Sequence, residues 1–415
     1  MSSRCLDLYA LDQQVGTLFD EHPLRFCYSR SWIDSHGREL APGLPTDCQT
    51  HQGESVESFF ENLLPEGHLR QLLETQRQTT TLFGLLDAVG GDTASGFSLQ
   101  PAGQPPEPHH YQKTTWREIA DNLAGNRADT VATEIKDARL SLAGAQSKSL
   151  LMVRDGTPCL PLGSSPSSHI LKPDIRAFEG VWASAFNETF CQRLAAKLDL
   201  GAAEATYQPD TRASLILRYD REWDSARGEL RRLHQLDFCQ LSGVRSGVKY
   251  ESDGGPDLVA CRNLIRKANA PLVDHQRFIR WIFFNLLIGN HDSHAKNLSI
   301  LFTRDGPRLA PFYDLMSTNL YPGLARRFAF KIGGEDQPGH IGSEQLDACA
   351  RALDLQPRYF RQQGLNLAAA LPEASKALGE EMQAALNPGP EQTLLERLTR
   401  HISRQARQMQ ARWSR

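Results

Sequence analysis

The sequence predicts an α+β protein: a small mixed α/β domain followed by two lobes, the first β-rich and the second helical. Three observations predict it. Up to about residue 240, short alternating runs, turns and helical segments are interleaved, and beyond it nearly every periodic segment is helical. A Pro-rich stretch without apolar periodicity, PAGQPPEPHHYQ at 101–112, separates the first part from the rest. At 415 residues the chain is also too long for one compact core.

In the first part, LDLYALDQQVGTLFD and RFCYSRSWI alternate as half-buried strands do. SVESFFENLLPEGHLRQLLETQ reads as a helix broken at Pro65, Glu66 and Gly67 and then resumed. From about 131 to 172 the β pattern returns. SLAGAQSKSLLMVRDG predicts a strand pair around a Gly-containing turn, and SSHILKPD a short strand ending on Lys172. VWASAFNETFCQRLAAKLDLG places Trp182, Phe186, Phe190, Leu194 and Leu198 near the helical period and ends at Gly201, expected at C′. ASLILRYDRE reads as a strand and RRLHQLDFCQLSG as a strand or connector. DLVACRNLIRKA, LVDHQRFIRWIFFNLLIG, SEQLDACARALDL, LNLAAALPEASKAL and EQTLLERLTRHISRQARQMQARW then predict helices. The expected division is a small domain at 1–103, a β-rich lobe at 104–238 and an all-helical lobe at 239–415. No internal repeat of solenoid period is present.

Composition narrows the class. Hydrophobic content of 40% and charged content of 23% are those of a globular protein. A net charge of −3 argues against a chain that coats nucleic acid, and leaves room for a local basic patch. The longest apolar run, FIRWIFFNLLIG, contains Arg280 and Asn285. It falls short of the roughly 20 apolar residues that cross a bilayer. The start, MSSRCLDLYALDQQVG, has no basic stretch leading into an apolar one, so no secretory leader is expected. Eight cysteines without a C-x-x-C pair point to reduced thiols in a cytoplasmic protein.

The stretch FFNLLIGNHDSHAKNLSILF, at 283–302, sets Gly, Asn, His, Asp and Lys between two apolar runs, where unpaired charge is costly. Asp292 and Asn297 stand as D-x-x-x-x-N, the spacing of a kinase catalytic loop. There the Asp accepts the proton of the substrate hydroxyl and the Asn carbonyl binds Mg²⁺. Asp314, in LAPFYDLMS, follows a strand pair, LSILF and RLAPF, bent by TRDGP, which is expected to return it beside Asn297. An Asn and a carboxylate suit the oxygen octahedron of Mg²⁺. Lys172, at a strand end, suits the phosphates of ATP, and Glu188, on the next helix, is placed to pair with it. SLAGAQSKS at 141–149 has small residues and Lys148, and its backbone N–H groups can hold phosphate oxygens. Each piece alone is common by chance. The ordered set predicts a two-lobed protein-kinase-like fold.

Blander readings stand beside these. Asp292 also suits an N-cap, Asn297 a turn, Lys172 the surface, and Glu188 a solvated helix face. His291 and His294 are spaced i,i+3 and suit either a zinc site, for which no third ligand is evident, or the bracing of the loop. Arg397, Arg400, Arg404 and Arg407 form a basic stripe, either solvated or set against DNA or an acidic partner.

The sequence resembles the HipA family of serine/threonine kinases, the toxin half of bacterial HipBA toxin–antitoxin pairs. VGTLF, FFENLLPEG and LLDAVGGDTASGFSLQP carry the resemblance in the first part. SLAGAQSKSLL, HILKPD, FNETFCQRLAAKLDL, RYDR, KYESDGGP, GNHDSHAKNLSIL and LAPFYDLMST carry it in the rest, covering nearly the whole chain in order. It implies that Asp292 is the catalytic base, acting with Lys172 and Asn297, and that Asn297 and Asp314 ligate Mg²⁺. It implies that Lys172 binds the phosphates of ATP, with Ala143, Gly144, Ala145, Gln146, Ser147 and Lys148 as the phosphate loop. Leu236, Asp237 and Phe238 would line the adenine, and His294, Ala295, Lys296, Asn297, Tyr313 and Asp314 would border the nucleotide. Ser141 matches the serine that family members autophosphorylate. A phosphate there adds about two negative charges and should eject the loop. The family phosphorylates aminoacyl-tRNA synthetases, typically the glutamyl enzyme, and is neutralised by a helix-turn-helix antitoxin, HipB, that binds operator DNA. Ser147 and Leu236 depart from the residues common in the family at those positions. Two other readings remain open: an aminoglycoside-type small-molecule phosphotransferase, and a catalytically silent kinase-like subunit of a repressor complex.

Overall fold

The computed structural model describes residues 4–124, 146, 148–384 and 386–415. Ser141, Ala143, Gly144, Ala145 and Ser147 therefore lie outside the described residues. The chain folds as two compact units. The first comprises Met1–Lys172, Arg218–Val248 and Leu301–Arg304, and the second Pro173–Leu217, Lys249–Ile300 and Asp305–Arg415. The α+β class is as the sequence predicts.

The first unit opens on five antiparallel strands ordered Thr50–Gln52, Arg25–Tyr28, Gln13–Phe19, Cys5–Ala10 and Ser98–Pro101. Their alternation turns Leu6, Leu8, Val15, Leu18 and Phe26 to one core. Helices Glu54–Glu61 and Leu82–Val89 add Phe59, Phe60, Phe83 and Leu86 to it. Each such side chain contributes about 1.5–3 kcal/mol on burial. The helix read at 55–76 does break after Asn62 and resumes as Gly67–Arg77.

A second sheet in this unit orders its strands His169–Lys172, Ser149–Arg154, Thr157–Leu162 and His110–Lys113. The first half of the strand pair read at 141–156 lies mostly outside the described residues; within them a hairpin runs from Ser149 to Leu162 around Asp155 and Gly156, which both have positive φ (49° and 76°) as a tight turn requires. The Pro-rich linker is shorter than 101–112, because His110–Lys113 is an edge strand paired with Thr157–Leu162. The segment read as strand or connector is both strand and helix: Gln235–Asp237 runs straight into helix Phe238–Ser242.

One buried charge cluster lies within the first unit. Asp92 accepts from Arg221 at 2.7 Å, Arg232 Nε at 2.9 Å, Ser167 Oγ at 2.7 Å and the Ser167 N–H at 2.9 Å. Arg218 reaches it at 3.4 Å and forms a two-pronged pair with Asp220, at 2.9 and 2.6 Å. Arg218 and Arg221 also donate to the Thr93 carbonyl. Burial alone would raise the Asp92 carboxyl, but Arg221, Arg232 and Arg218 outweigh it and hold the group below the usual carboxylate range. Three of these residues come from RYDR, at 218–221, whose function in the sequence is thereby structural.

The second unit is mainly helical. Helix Pro271–Ile288 starts with Pro at its first turn, where the missing N–H costs nothing, and ends at Gly289. The Phe283 ring on this helix packs tilted against Phe360 of helix Pro357–Gln383, centroids 4.8 Å apart, and edge-on to Trp413 of helix Pro390–Trp413, centroids 5.3 Å apart. Gly364 permits the approach, since a Cβ there would sit 2.5 Å from the Phe283 ring. The polar residues that interrupt the apolar run are all used. Arg280 donates to the Leu198 and Asp199 carbonyls at the end of helix Ser184–Lys197. Arg277 donates to the carbonyls of Gly201, Leu309 and Ala310, and Asn285 to that of Trp281. The expected C′ glycine is corrected too. Helix Ser184–Lys197 is capped at Leu198, and Asp199 at φ 53° takes the left-handed turn ahead of Gly201. A hairpin, Ser299–Thr303 with Gly306–Leu309, interrupts the helices of the expected all-helical lobe. No helix among the described residues is long and apolar enough to cross a membrane.

Candidate active site

The loop that leaves helix Pro271–Ile288 is turned by Gly289, whose φ of 72° lies in the left-handed region. The carbonyl of Gly289 accepts from Thr318 Oγ1 at 3.2 Å and from the Asn319 N–H at 2.9 Å. Thr318 Oγ1 in turn accepts the N–H of His291 at 2.8 Å. Asn290 is buried, donating to Asn285 Oδ1 at 2.8 Å and to the Asp314 carbonyl at 3.4 Å. Its own Oδ1 accepts the Asp292 N–H at 3.2 Å. The loop then closes on itself. The Asp292 carbonyl accepts the His294 N–H at 3.0 Å and Asn297 Nδ2 at 3.0 Å. The Asn297 N–H reaches the His294 carbonyl at 2.9 Å.

This bonding isolates one group. His291, Ser293, His294, Ala295, Lys296 and Asn297 are all buried, whereas the Asp292 side chain is 54% exposed. The His291 N–H and both the N–H and carbonyl of Asp292 are hydrogen-bonded, so the Asp292 carboxylate is presented on a fixed frame. Asp292 is not an N-cap, because the short helical turn Ala295–Asn297 starts from His294. Asn297 is more than a turn former, since its Nδ2 is tied to Asp292, which leaves Oδ1 as the amide atom able to ligate a cation.

The histidines brace the loop. His291 Nδ1 pairs with the Ala325 carbonyl at 2.9 Å, and burial lowers its pKa, keeping the ring neutral. His294 Nε2 lies 4.0 Å from Asp292 Oδ1, and its ring meets Tyr250 edge-on with centroids 5.0 Å apart. Tyr250 donates its hydroxyl to the same Asp292 Oδ1. Among the described residues, no group of three or more His, Cys, Asp or Glu is arranged to hold a metal ion.

After the hairpin, Tyr313 donates to the Lys296 carbonyl at 2.6 Å and pairs with Ser299 Oγ at 2.8 Å, fixing this segment against the loop. Asp314 sits at φ 60°, a left-handed conformation that costs a residue with a Cβ on the order of 1 kcal/mol. The following turn is held by buried Asn187, which donates to the Ser317 carbonyl at 3.1 Å and accepts the Ser317 N–H at 2.9 Å. The hairpin is anchored by Asp274, fully buried, which accepts from Arg308 at 3.0 and 3.1 Å and from the Leu309 N–H at 3.1 Å. Glu188, next to Asn187, is buried, which overturns its reading as a solvated residue.

The remaining candidates belong to the first unit. Lys172 ends strand His169–Lys172 and is buried, so it is not a surface lysine. Gln146 and Lys148 are half-buried just ahead of strand Ser149–Arg154. Leu236 and Phe238 are buried, Leu236 in the hydrophobic core of the unit. Asp237 accepts the Gln240 N–H at 2.8 Å while Gln240 Oε1 accepts the Asp237 N–H at 3.0 Å, a capping box. Backbone groups are thus what Leu236 can offer a ligand. The Arg stripe lies on helix Pro390–Trp413, with Arg397, Arg400, Arg404 and Arg407 exposed.

Sequence reasoning assigned no task to Tyr250, Asn187, Asn290 or Thr318. The first lies 42 positions before Asp292, and only folding brings the two together. The others are neutral amides and a hydroxyl, whose value is in hydrogen bonds that leave no charge or period in a sequence.

The comparisons with known proteins cover most of the chain. Residues 140–386 match the model of the HipA-like C-terminal domain, and residues 6–99 that of the HipA N-terminal domain. The chain is 36% identical to a putative kinase of Sinorhizobium fredii over 80% of its own length and 82% of the relative's. It is 28% identical to the serine/threonine-protein kinase toxin HipA of Shewanella oneidensis, over 89% and 88% of the two lengths. Among solved structures, the complex of Shewanella oneidensis HipA with HipB and operator DNA contains a chain that matches with a TM-score of 0.84 at 25% identity. That match spans 98% of this chain and 97% of the other.

Proposed function

Because the chain belongs to the HipA family of serine/threonine kinases, we propose that it transfers the γ-phosphoryl group of ATP to a protein hydroxyl, with Asp292 as base. Asp292 takes the proton of the substrate hydroxyl as the hydroxyl oxygen bonds to the γ-phosphorus. The bond from that phosphorus to the β,γ-bridging oxygen breaks, and its electron pair leaves with ADP. Asp292 then returns the proton to solvent. Asn297 and Asp314 are the residues that would hold Mg²⁺, which when bound supplies positive charge to the phosphate oxygens. Lys172 would pair with those phosphates, with Gln146 and Lys148 beside it and Leu236, Asp237 and Phe238 at the adenine. His294, Ala295, Lys296 and Tyr313 would border the nucleotide.

The observation that carries this reading is the loop itself: one exposed carboxylate on a buried, hydrogen-bonded frame, with an Asn amide held to its carbonyl. Such rigidity matters, because a displacement of about 1 Å can cost on the order of 100-fold in rate.

The finer reading follows the family. The chain acts as a toxin on an aminoacyl-tRNA synthetase, the glutamyl enzyme being the first candidate. Phosphate on Ser141 silences it, and a HipB-like antitoxin neutralises it and brings it to operator DNA. The likeness to HipA in its complex with HipB and DNA supports the last point, and the exposed Arg stripe offers such a complex a cationic face. Incubation with labelled ATP and Mg²⁺ should label Ser141, and Asp292→Ala should abolish the label. Label that survives Asp292→Ala removes Asp292 from the chemistry. Phosphate passing to a small alcohol instead of protein would favour a small-molecule phosphotransferase.

A further inference from the structure

We infer that Tyr250 is a positioning residue for Asp292: its hydroxyl holds Oδ1, so that the other carboxylate oxygen faces the incoming hydroxyl. This rests on the reading of Asp292 as the base. The half-buried Tyr250 donates to Asp292 Oδ1 across 42 positions of sequence. The terminal torsion of a carboxylate has broad wells, and this side chain is 54% exposed. A hydrogen bond from a fixed donor narrows that freedom and orients the group.

Tyr250 is itself well anchored. Its carbonyl accepts the N–H groups of Asp253 and Gly255, at 3.1 and 2.9 Å. The neighbouring Glu251 carboxylate accepts the Lys331 N–H at 2.8 Å. The carbonyl of Lys249 accepts the Ala295 N–H at 3.3 Å, joining the segment directly to the loop it serves. The ring stands edge-on to His294, at 89° between planes. The His294 ring, with Nε2 4.0 Å from Asp292 Oδ1, and the Lys249 ammonium, 5.6 Å from the Tyr250 ring centroid, stand close to the pair.

The test uses the full chain with labelled ATP, Mg²⁺ and casein, reading phosphate on both proteins from pH 5 to 9. Tyr250→Phe should lower kcat about tenfold, the worth of one charged hydrogen bond, with KM for ATP unchanged. Tyr250→Leu, which also removes the ring, separates hydroxyl from packing, and calorimetry reports whether each variant folds. If Tyr250→Phe keeps the wild-type kcat while Tyr250→Leu and Asp292→Ala are inactive, the ring packs and the hydroxyl positions nothing. A faster Tyr250→Phe would make the hydroxyl a block on the base, which also overturns the proposal. An active Asp292→Ala, or a wild type that transfers nothing, defeats the underlying assignment instead, and the proposal with it.

Discussion

Replacing Asp92 by Ala should be among the most damaging single changes outside the active site. The side chain accepts five hydrogen bonds, from Arg218, Arg221, Arg232 and both Ser167 donors, and neither it nor Arg218 or Arg221 is appreciably exposed. Removing it leaves three guanidinium groups with Asp220 as the remaining carboxylate of the cluster. Breaking a buried pair from one side costs about 3–5 kcal/mol, because the partner charges stay buried. For a unit of about 200 residues, that lowers the melting transition by on the order of 10 °C. Differential scanning calorimetry of wild type, Asp92→Ala and Asp92→Asn measures it, with the amide expected in between because it keeps one acceptor. The same cluster sets an acid limit. The folded-state pKa of Asp92 is depressed, so its contribution is present above the unfolded value of about 3.9 and fades as pH falls below it. The wild-type transition should therefore drop more steeply below pH 4 than that of Asp92→Ala. An Asp92→Ala protein that melts within 2 °C of wild type would refute the reasoning.

Two further outcomes are expected. Gly289→Ala forces a Cβ to 2.9 Å from the Asn319 Cβ at a φ of 72°, so it should cost about 1–3 kcal/mol and depress phosphate transfer by tilting the Asp292 loop. Calorimetry and the labelled-ATP assay check the two effects separately. His401 is buried, and burial lowers its pKa to about 4; because the unfolded ring protonates near 6.5, stability should fall as pH drops from about 6.5 towards 4. His401→Leu should flatten that slope in melts taken across the window.

Much of this was legible in the sequence because the chemistry advertises itself. The apolar period of 272–289 and the charge cluster after it predict a buried helix delivering Asp292, and helix Pro271–Ile288 forms there. The break at Pro65–Gly67 and the hairpin after Ser299 were equally plain, since Pro, Gly and alternating apolar residues act locally. The misses share a different cause. HYQK, at 110–113, carries no strand signal of its own and becomes a strand through pairing with Thr157–Leu162, a distant segment. Gly201 looked like a helix terminus, but Arg280 satisfies the last carbonyls earlier, and Asp199 tolerates the left-handed turn. Glu188 reads as an ordinary helix glutamate until its neighbours bury it. Tyr250 could not be singled out at all, because nothing within its own segment demands a hydroxyl.

The Asp92 cluster also bears on how such proteins are inherited. The two family segments, 6–99 and 140–386, look like interchangeable parts, yet Asp92 and Thr93 lie in one and Ser167, Arg218, Asp220, Arg221 and Arg232 in the other. A recombination event joining the first segment of one member to the second of another would have to import a matched carboxylate and arginines together. The two segments are thus bound to a shared ancestry by electrostatics, and a chimaera built at the Pro-rich linker inherits that constraint.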